Sequence, residues 1–343
     1  MEERKIQKVG RSTLSVSLPK DWAIRADVKQ GDTVYMDRQA NHALLIVSEK
    51  FLKIEGEARD FLINCDLVAE SNILARLIVA SYVQGADTIR LFSSTRIDGK
   101  QIECVRQITQ TLIGISIVEA SSNEIFLQCA IDPTKFEIYT LIHRLSVIAS
   151  TMLDEAMDAL LDLDGELARD VVNRRDEANG IYWLITRLLT LARVSHTLAD
   201  QIGLIEPIDT SLRLVTKNLE RVTDCTEKIA EIALDLHTIR TEVDEEELKK
   251  LSVLGQMVKD VFRKAVDSFF ARDIITANDA RDLRDEIVDE AQARRRIASI
   301  PYFRAITIML SMIAAHSASI AVVTFNIKVS ESNYLLYLKE SAS

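Results

Sequence analysis

The stretches DGELARDVVNRRDE (164–177) and DIITANDARDLRDE (273–286) decide the fold of this 343-residue chain. Asp164, Ala168, Asp170 and Arg175-Asp176-Glu177 in the first correspond to Asp273, Ala277, Asp279 and Arg284-Asp285-Glu286 in the second, every pair 109 positions apart. A constant offset marks an internal repeat, and such repeats stack because one copy cannot bury its apolar face alone. Ahead of the first copy, Ile138, Ile142, Leu145, Ala149, Met152, Ala156 and Leu160 recur at steps of four and three, the seam of a bundle helix. Ahead of the second, Leu251, Leu254, Val258, Val261, Ala265 and Phe269 do the same. Each copy then runs on into a further long helix. The expectation is two tandem three-helix bundles, residues 132–240 and 241–330, followed by a tail, 331–343.

The totals agree with a mainly helical, multidomain chain. Only 10 Gly and 4 Pro leave little material for loops, while 48% hydrophobic residues are ample for several cores. The four cysteines, Cys65, Cys104, Cys129 and Cys225, have no CxxC spacing and fit buried thiols in a reducing cytosol. The N-terminus shows no signal-peptide pattern, so a cytoplasmic location is expected. One segment, Ala305 to Ile327, is uncharged apart from His316 and long enough to span a bilayer. Thr307, Ser311, Ser317, Ser319, Thr324 and Asn326 interrupt it, and it reads as a central buried helix with no membrane insertion.

Residues 51–131 read as a small α/β domain. It has a strand near Phe51 to Ile54, a helix from Leu67 to Val83, a strand from Thr88 to Phe92 and a helix from Gly99 to Ile113. A hairpin of Ile115–Glu119 with Glu124–Cys129 completes it. No phosphate-cradling GxxxxGK or GxGxxG is present, and a spacer or dimerisation role is the default.

Charge is unevenly placed. The chain carries −10 overall, but residues 1–50 hold nine Lys/Arg against seven Asp/Glu, leaving −12 for the remainder. In KIQKVGRSTLSVSLPKDW (5–22), the turn Val9-Gly10-Arg11 precedes an alternating strand, with Leu14, Val16 and Leu18 on one face. That alternation reads as a half-buried strand, ended by Pro19. A one-turn helix, the Gly31-Asp32 turn and two β-rich runs, Thr33 to Met36 and Ala43 to Val47, follow. Fifty residues of short strands bury little by themselves, so a partner chain is expected.

This head, 1–50, resembles the AbrB, MazE and SpoVT family of swapped-hairpin DNA-binding domains. The likeness rests on the basic first strand, the Gly10-Arg11 turn, the strand ending in Leu18-Pro19, Lys20 after it and the Gly31-Asp32 turn. It implies a homodimer of interleaved hairpins through the N-terminal domain, with Arg4, Lys5, Lys8, Arg11 and Lys20 facing DNA. Asp21-Trp22 departs from the pattern, where many relatives have another basic residue.

The last helix of the first bundle carries LERVTDCTEKIAEIAL (219–234), in which Glu220 and Asp224 project from one face a turn apart. Together with the lead-in Thr210-Ser211-Leu212-Arg213 and the tandem bundles, this resembles PhoU, the phosphate-uptake regulator family. In that family paired acidic motifs bind metal clusters. An AbrB-like head, a small α/β segment and a PhoU-like body together look like archaeal PhoU-type regulators. The resemblance implies a divalent or transition metal ion in the first bundle, with Asp176, Glu220 and Asp224 as ligands. It also implies ligand roles for Asp285 and Asp289 in the second bundle. The motifs are incomplete, because position 180 is Gly and the helix facing Asp285 and Asp289, Pro301 to Ser330, has no Asp or Glu.

The expected function is a DNA-binding transcriptional regulator of phosphate uptake, the head reading DNA and the bundles sensing or docking partners. Two other readings stay open. One is an accessory protein contacting a phosphate transporter or a signalling kinase, and the other a low-specificity nucleoid-associated protein. No acid, base or nucleophile set can be assembled for an enzyme.

Overall fold

A computed structural model describes residues 2–38, 43–49, 59–68, 70–204, 208–239, 245–295 and 301–331. It divides into two compact units, Met1–Arg59 and Asp60–Ser343, and among the described residues it is mostly helical, with ten α-helices.

In the first unit, β1 (Gln7–Val9) and β2 (Thr13–Ser15) form an antiparallel hairpin with Lys8 opposite Leu14. Gly10 turns it at φ +69°, a conformation that favours glycine. The short helix α1 (Lys20–Arg25) follows, and β3 (Val34–Arg38) pairs antiparallel with β4 (Leu44–Ser48). The element order is the expected one, but the burial is not. Leu14 is 67% and Val16 48% exposed, where the alternation implied a half-buried face. One chain of this length has no second layer to lay on that face. The turn residues Gln39 to His42 and the expected strand at Phe51 to Ile54 lie outside the described residues.

The second unit begins with an α/β layer. The strands β5 (Asp60–Asn64), β6 (Thr88–Phe92), β7 (Ile115–Ala120) and β8 (Glu124–Cys129) lie in the order β5-β6-β8-β7. β5 and β6 are parallel across the crossover helix α2 (Ser71–Val83), and the other pairs are antiparallel. The helix α3 (Gly99–Thr111) starts at a capping box, Asp98 with Gln101. Ile63, Leu74, Ile78, Tyr82, Ile89, Leu91, Val105 and Leu127 form its core. β5 was not anticipated, and α2 starts four residues later than Leu67. Asp66 explains the delay. It accepts from Ser93 Oγ at 2.6 Å and Ser94 N at 2.8 Å, tying the segment after β5 to the end of β6 and out of the helix.

The bundles comprise α4 (Ile138–Asp162), α5 (Gly165–Ala192), the short α6 (His196–Gln201), α7 (Asp209–Thr238), α8 (Glu245–Ala271), α9 (Ile274–Arg295) and α10 (Pro301–Glu331). The helices α4, α7, α8 and α10 pack as a central group of four. α5 lies against α4 and α7, and α9 lies against α8 and α10. Both expected seams are buried and belong to one continuous core. The repeat is visible at the corners between helices. Leu163 and Arg272, 109 positions apart, both adopt the left-handed conformation, at φ +52° and +54°. The next residue caps the following helix in each copy: Asp164 accepts from Glu166 N at 2.9 Å, and Asp273 from Ile275 N at 3.0 Å. Ala168 and Ala277 are fully buried one turn later.

α10 is long and apolar enough to cross a membrane by length and composition, yet 61% of that window is buried inside the protein. Its buried hydroxyls bond back to the helix carbonyls, Thr307 to Phe303, Ser311 to Thr307 and Ser317 to Ile313, each at 2.8 Å. Polar groups satisfied within the helix allow it to serve as core, as the sequence implied.

Candidate functional site

The seam residues Leu212, Val215, Leu219, Val222 and Ile229 turn one face of α7 inward. This sets Glu220, Asp224 and Glu227 along its edge, at i, i+4 and i+7 on one face. Glu220 and Glu227 are buried. Cations surround all three. Lys217 Nζ lies 2.7 Å from Glu220 Oε2, and Arg221 Nη1 lies 3.2 Å from Asp224 Oδ2. From α5, Arg175 reaches across with Nη2 3.3 Å from Asp224 Oδ1 and Nε 2.9 Å from Glu227 Oε2. Burial raises the Glu227 carboxyl above the usual carboxylate range, and the Arg175 guanidinium pulls against that shift. Burial, with Asp224 beside it, pushes the Cys225 thiol up to about 11. His316 of α10 meets Asn218 Oδ1 through Nδ1 at 3.0 Å, and burial followed by Arg221 lowers its pKa.

Of the metal ligands expected in the first bundle, Glu220 and Asp224 lie together on one face of α7, both ion-paired to Arg221. Asp176 is exposed. Among the described residues no group of three or more His, Cys, Asp or Glu side chains could hold a metal ion. Position 180, one turn after Asp176, shows why the first bundle has no acid there. A Cβ on Gly180 would stand 2.6 Å from the Thr111 carbonyl oxygen of the α/β layer. The space for a ligand side chain is filled by backbone. In the second bundle Asp285 and Asp289 are exposed, and Asp285 pairs with its neighbour Arg284 at 2.7 Å. The side chains present therefore do not fit the metal cluster that the resemblance implies.

Gly180 belongs to a stripe that sequence reasoning missed. Gly180, Trp183 and Arg187 lie on one face of α5, and the α/β layer docks on it through α2 and α3. Trp183 packs against the apolar residues of both cores. Arg187 is 3% exposed. Its Nη1 donates to the Tyr82 carbonyl at 2.6 Å, and its guanidinium lies 5.0 Å from the Tyr82 ring centroid. The Tyr82 hydroxyl donates to the Ile113 carbonyl at 2.9 Å. The available signals were a glycine in mid-helix and an arginine inside the apolar run from Ile181 to Ala192.

On the head, Lys5, Lys8, Arg11 and Lys20 are exposed, and Arg4 pairs with Glu2 at 2.7 Å. Lys8 is on β1, Arg11 in the hairpin turn and Lys20 at the start of α1, with Asp21 beside it.

The class defined by this fold is a tandem three-helix-bundle protein carrying an α/β layer and a small β-rich head. Residues 142–233, from α4 through most of α7, match the PhoU domain. The crystal structure of PhoU from Pseudomonas aeruginosa is similar over 57% of this chain and 96% of that chain, at 19% identity and a TM-score of 0.48. No curated protein matches the chain.

Proposed function

We propose that this protein is a cytoplasmic regulator of phosphate homeostasis that acts through protein contacts of its helical bundles. A phosphate transporter or a signalling kinase is the partner class. The observation that carries this reading is the PhoU-domain match over residues 142–233. The stripe on α7, with its acids already paired to cations, is better suited to a fixed surface than to catalysis. The test is binding of the purified chain to the ATP-hydrolysing subunit of a phosphate transporter from the same cells, with phosphate uptake measured when the chain is depleted. Saturable binding and altered uptake are expected. Unchanged uptake together with no binding to transporter or kinase would refute it.

A second reading concerns the head, as a DNA-binding module that works as a homodimer and makes the protein a transcriptional regulator. Two observations favour it: the net positive charge of residues 1–50, and the apolar side chains Ile6, Val9, Leu14, Ile24 and Met36 left exposed in a single copy. A second copy would cover that surface and set two groups of Arg4, Lys5, Lys8, Arg11 and Lys20 side by side. Partner binding at the bundles would then bias the spacing of the two heads. Deletion of residues 1–50 should abolish DNA shifts, and Arg11→Ala should make the salt dependence shallower by about 0.9 for each DNA phosphate that is no longer neutralised. Undiminished DNA binding by the truncated chain would refute it. Genome-wide occupancy spread evenly over many sites would instead indicate a nucleoid-associated role.

A further inference from the structure

The repeat supplies an internal comparison for the acidic stripe. Arg175 and Arg284 occupy the same position in the two copies. The buried positions of α7 recur in α10 at a constant offset of 91: Leu212 with Phe303, Val215 with Ile306, Leu219 with Leu310, Val222 with Ile313 and Ile229 with Ile320. This register puts Ala315 and Ala318 where α7 has Asp224 and Glu227. With carboxylates opposite, Arg175 reaches across to the neighbouring helix. Without them, Arg284 pairs with the adjacent Asp285 on its own helix. The direction taken by the arginine follows the acids.

We infer that Arg175 is a built-in counter-cation of the first bundle, latching α5 to α7 and closing the Glu220, Asp224 and Glu227 stripe to divalent cations. Three carboxylates on one half-buried face repel one another and must either take up protons or face positive charge. The Arg175 guanidinium lies within ion-pair distance of two carboxylates at once, hydrogen-bonded to Asp224 Oδ1 at 3.3 Å and with its Nε 2.9 Å from Glu227 Oε2 as a charge contact only. Because it is tethered, a free ion must displace a cation that is always present. The Thr111 carbonyl against Gly180 leaves no room for a further ligand side chain from α5 one turn beyond Asp176. Removal of the guanidinium would leave Glu227 without its ion pair from α5 and Asp224 facing Arg221 alone, with Glu220 one turn away and still paired to Lys217. Oxygen ligands of this kind suit Mn2+. The inference stands on these contacts and is independent of the phosphate reading.

The test uses the full chain and Mn2+ alone, read by calorimetric titration and by the shift of the thermal midpoint. Wild-type protein should show no saturable binding at ~1 mM Mn2+ and an unmoved midpoint. Arg175→Ala should gain a saturable site at least about tenfold tighter than any wild-type uptake. Arg175→Lys should remain closed, and Arg175→Ala combined with Glu227→Gln should lose the gain. Two results would overturn the inference: a folded Arg175→Ala chain with no gain, or wild-type binding that Asp224→Asn abolishes, meaning that metal displaces the arginine. Arg175→Gln, which keeps most of the side-chain volume, runs beside the alanine variant and decides the question if that variant unfolds. If neither folds, recovery of native helicity by Mn2+ supports the inference and failure to recover overturns it.

Discussion

Gly180→Ala tests whether the α/β layer is docked on α5 as the geometry requires. In an open helix interior this change stabilises by about 1 kcal/mol, because alanine restricts the unfolded backbone and favours the helix. Here the new Cβ would stand 2.6 Å from the Thr111 carbonyl oxygen and 3.4 Å from Ile113 Cγ1. The first contact is with backbone at the end of α3, which cannot rotate aside as a side chain can. Overpacking of this kind costs about 1–3 kcal/mol. The net expectation is a loss of about 0–2 kcal/mol, opposite in sign to the effect at an unobstructed glycine. The exposed Asn173→Ala on the same helix serves as the control and should gain a few tenths of a kcal/mol. The assay is urea unfolding of the full chain in a Trp22→Phe background, so that Trp183, at the interface itself, reports the transition. If Gly180→Ala is stabilised by the full 1 kcal/mol or so of a free helical glycine, the docking argument fails.

Three further outcomes follow from the buried groups. Tyr82→Phe removes the hydroxyl that donates to the Ile113 carbonyl at 2.9 Å and should lower stability by about 1 kcal/mol, checked by the same urea titration. His316 is held below its ordinary value of 6.5 by burial and by Arg221, with Lys217 adding to the effect and Asp224 opposing it. The unfolded chain therefore binds more protons in the window just under 6.5. Stability should be intact above that pH and decline as pH falls through the window. His316→Gln should flatten that part of the profile, and an unchanged profile would argue against a half-buried neutral imidazole. The Cys225 thiol, raised to about 11 and buried, should resist iodoacetamide at neutral pH in the native chain and react fully after denaturation. Mass mapping that finds Cys225 alkylated as fast as in the denatured chain would contradict its burial.

The sequence by itself determined the repeat, both helix seams, the buried role of α10 and the order of elements in the head. Each of these is a periodic or local signal. Apolar spacing follows the helix pitch, and a corner needs a cap at a fixed place, as Asp164 and Asp273 show. Although Glu227 was not singled out, Glu220 and Asp224 of α7 were legible as a pair one turn apart for the same reason. What surrounds them was not, because Arg175 lies 49 positions before Asp224 and only the packing of α5 on α7 brings the two together. Tertiary structure likewise decided the meaning of Gly180. In the chain it read as a missing ligand, and in the fold it is the point where the backbone of another layer presses against α5. Arg187 became an inter-layer pin only once Tyr82, 105 positions away, was seen to offer its carbonyl. Pitch and capping are properties of neighbouring residues and can be read along the chain. Close approach and charge pairing between distant segments depend on which faces pack, and only the folded arrangement settles that.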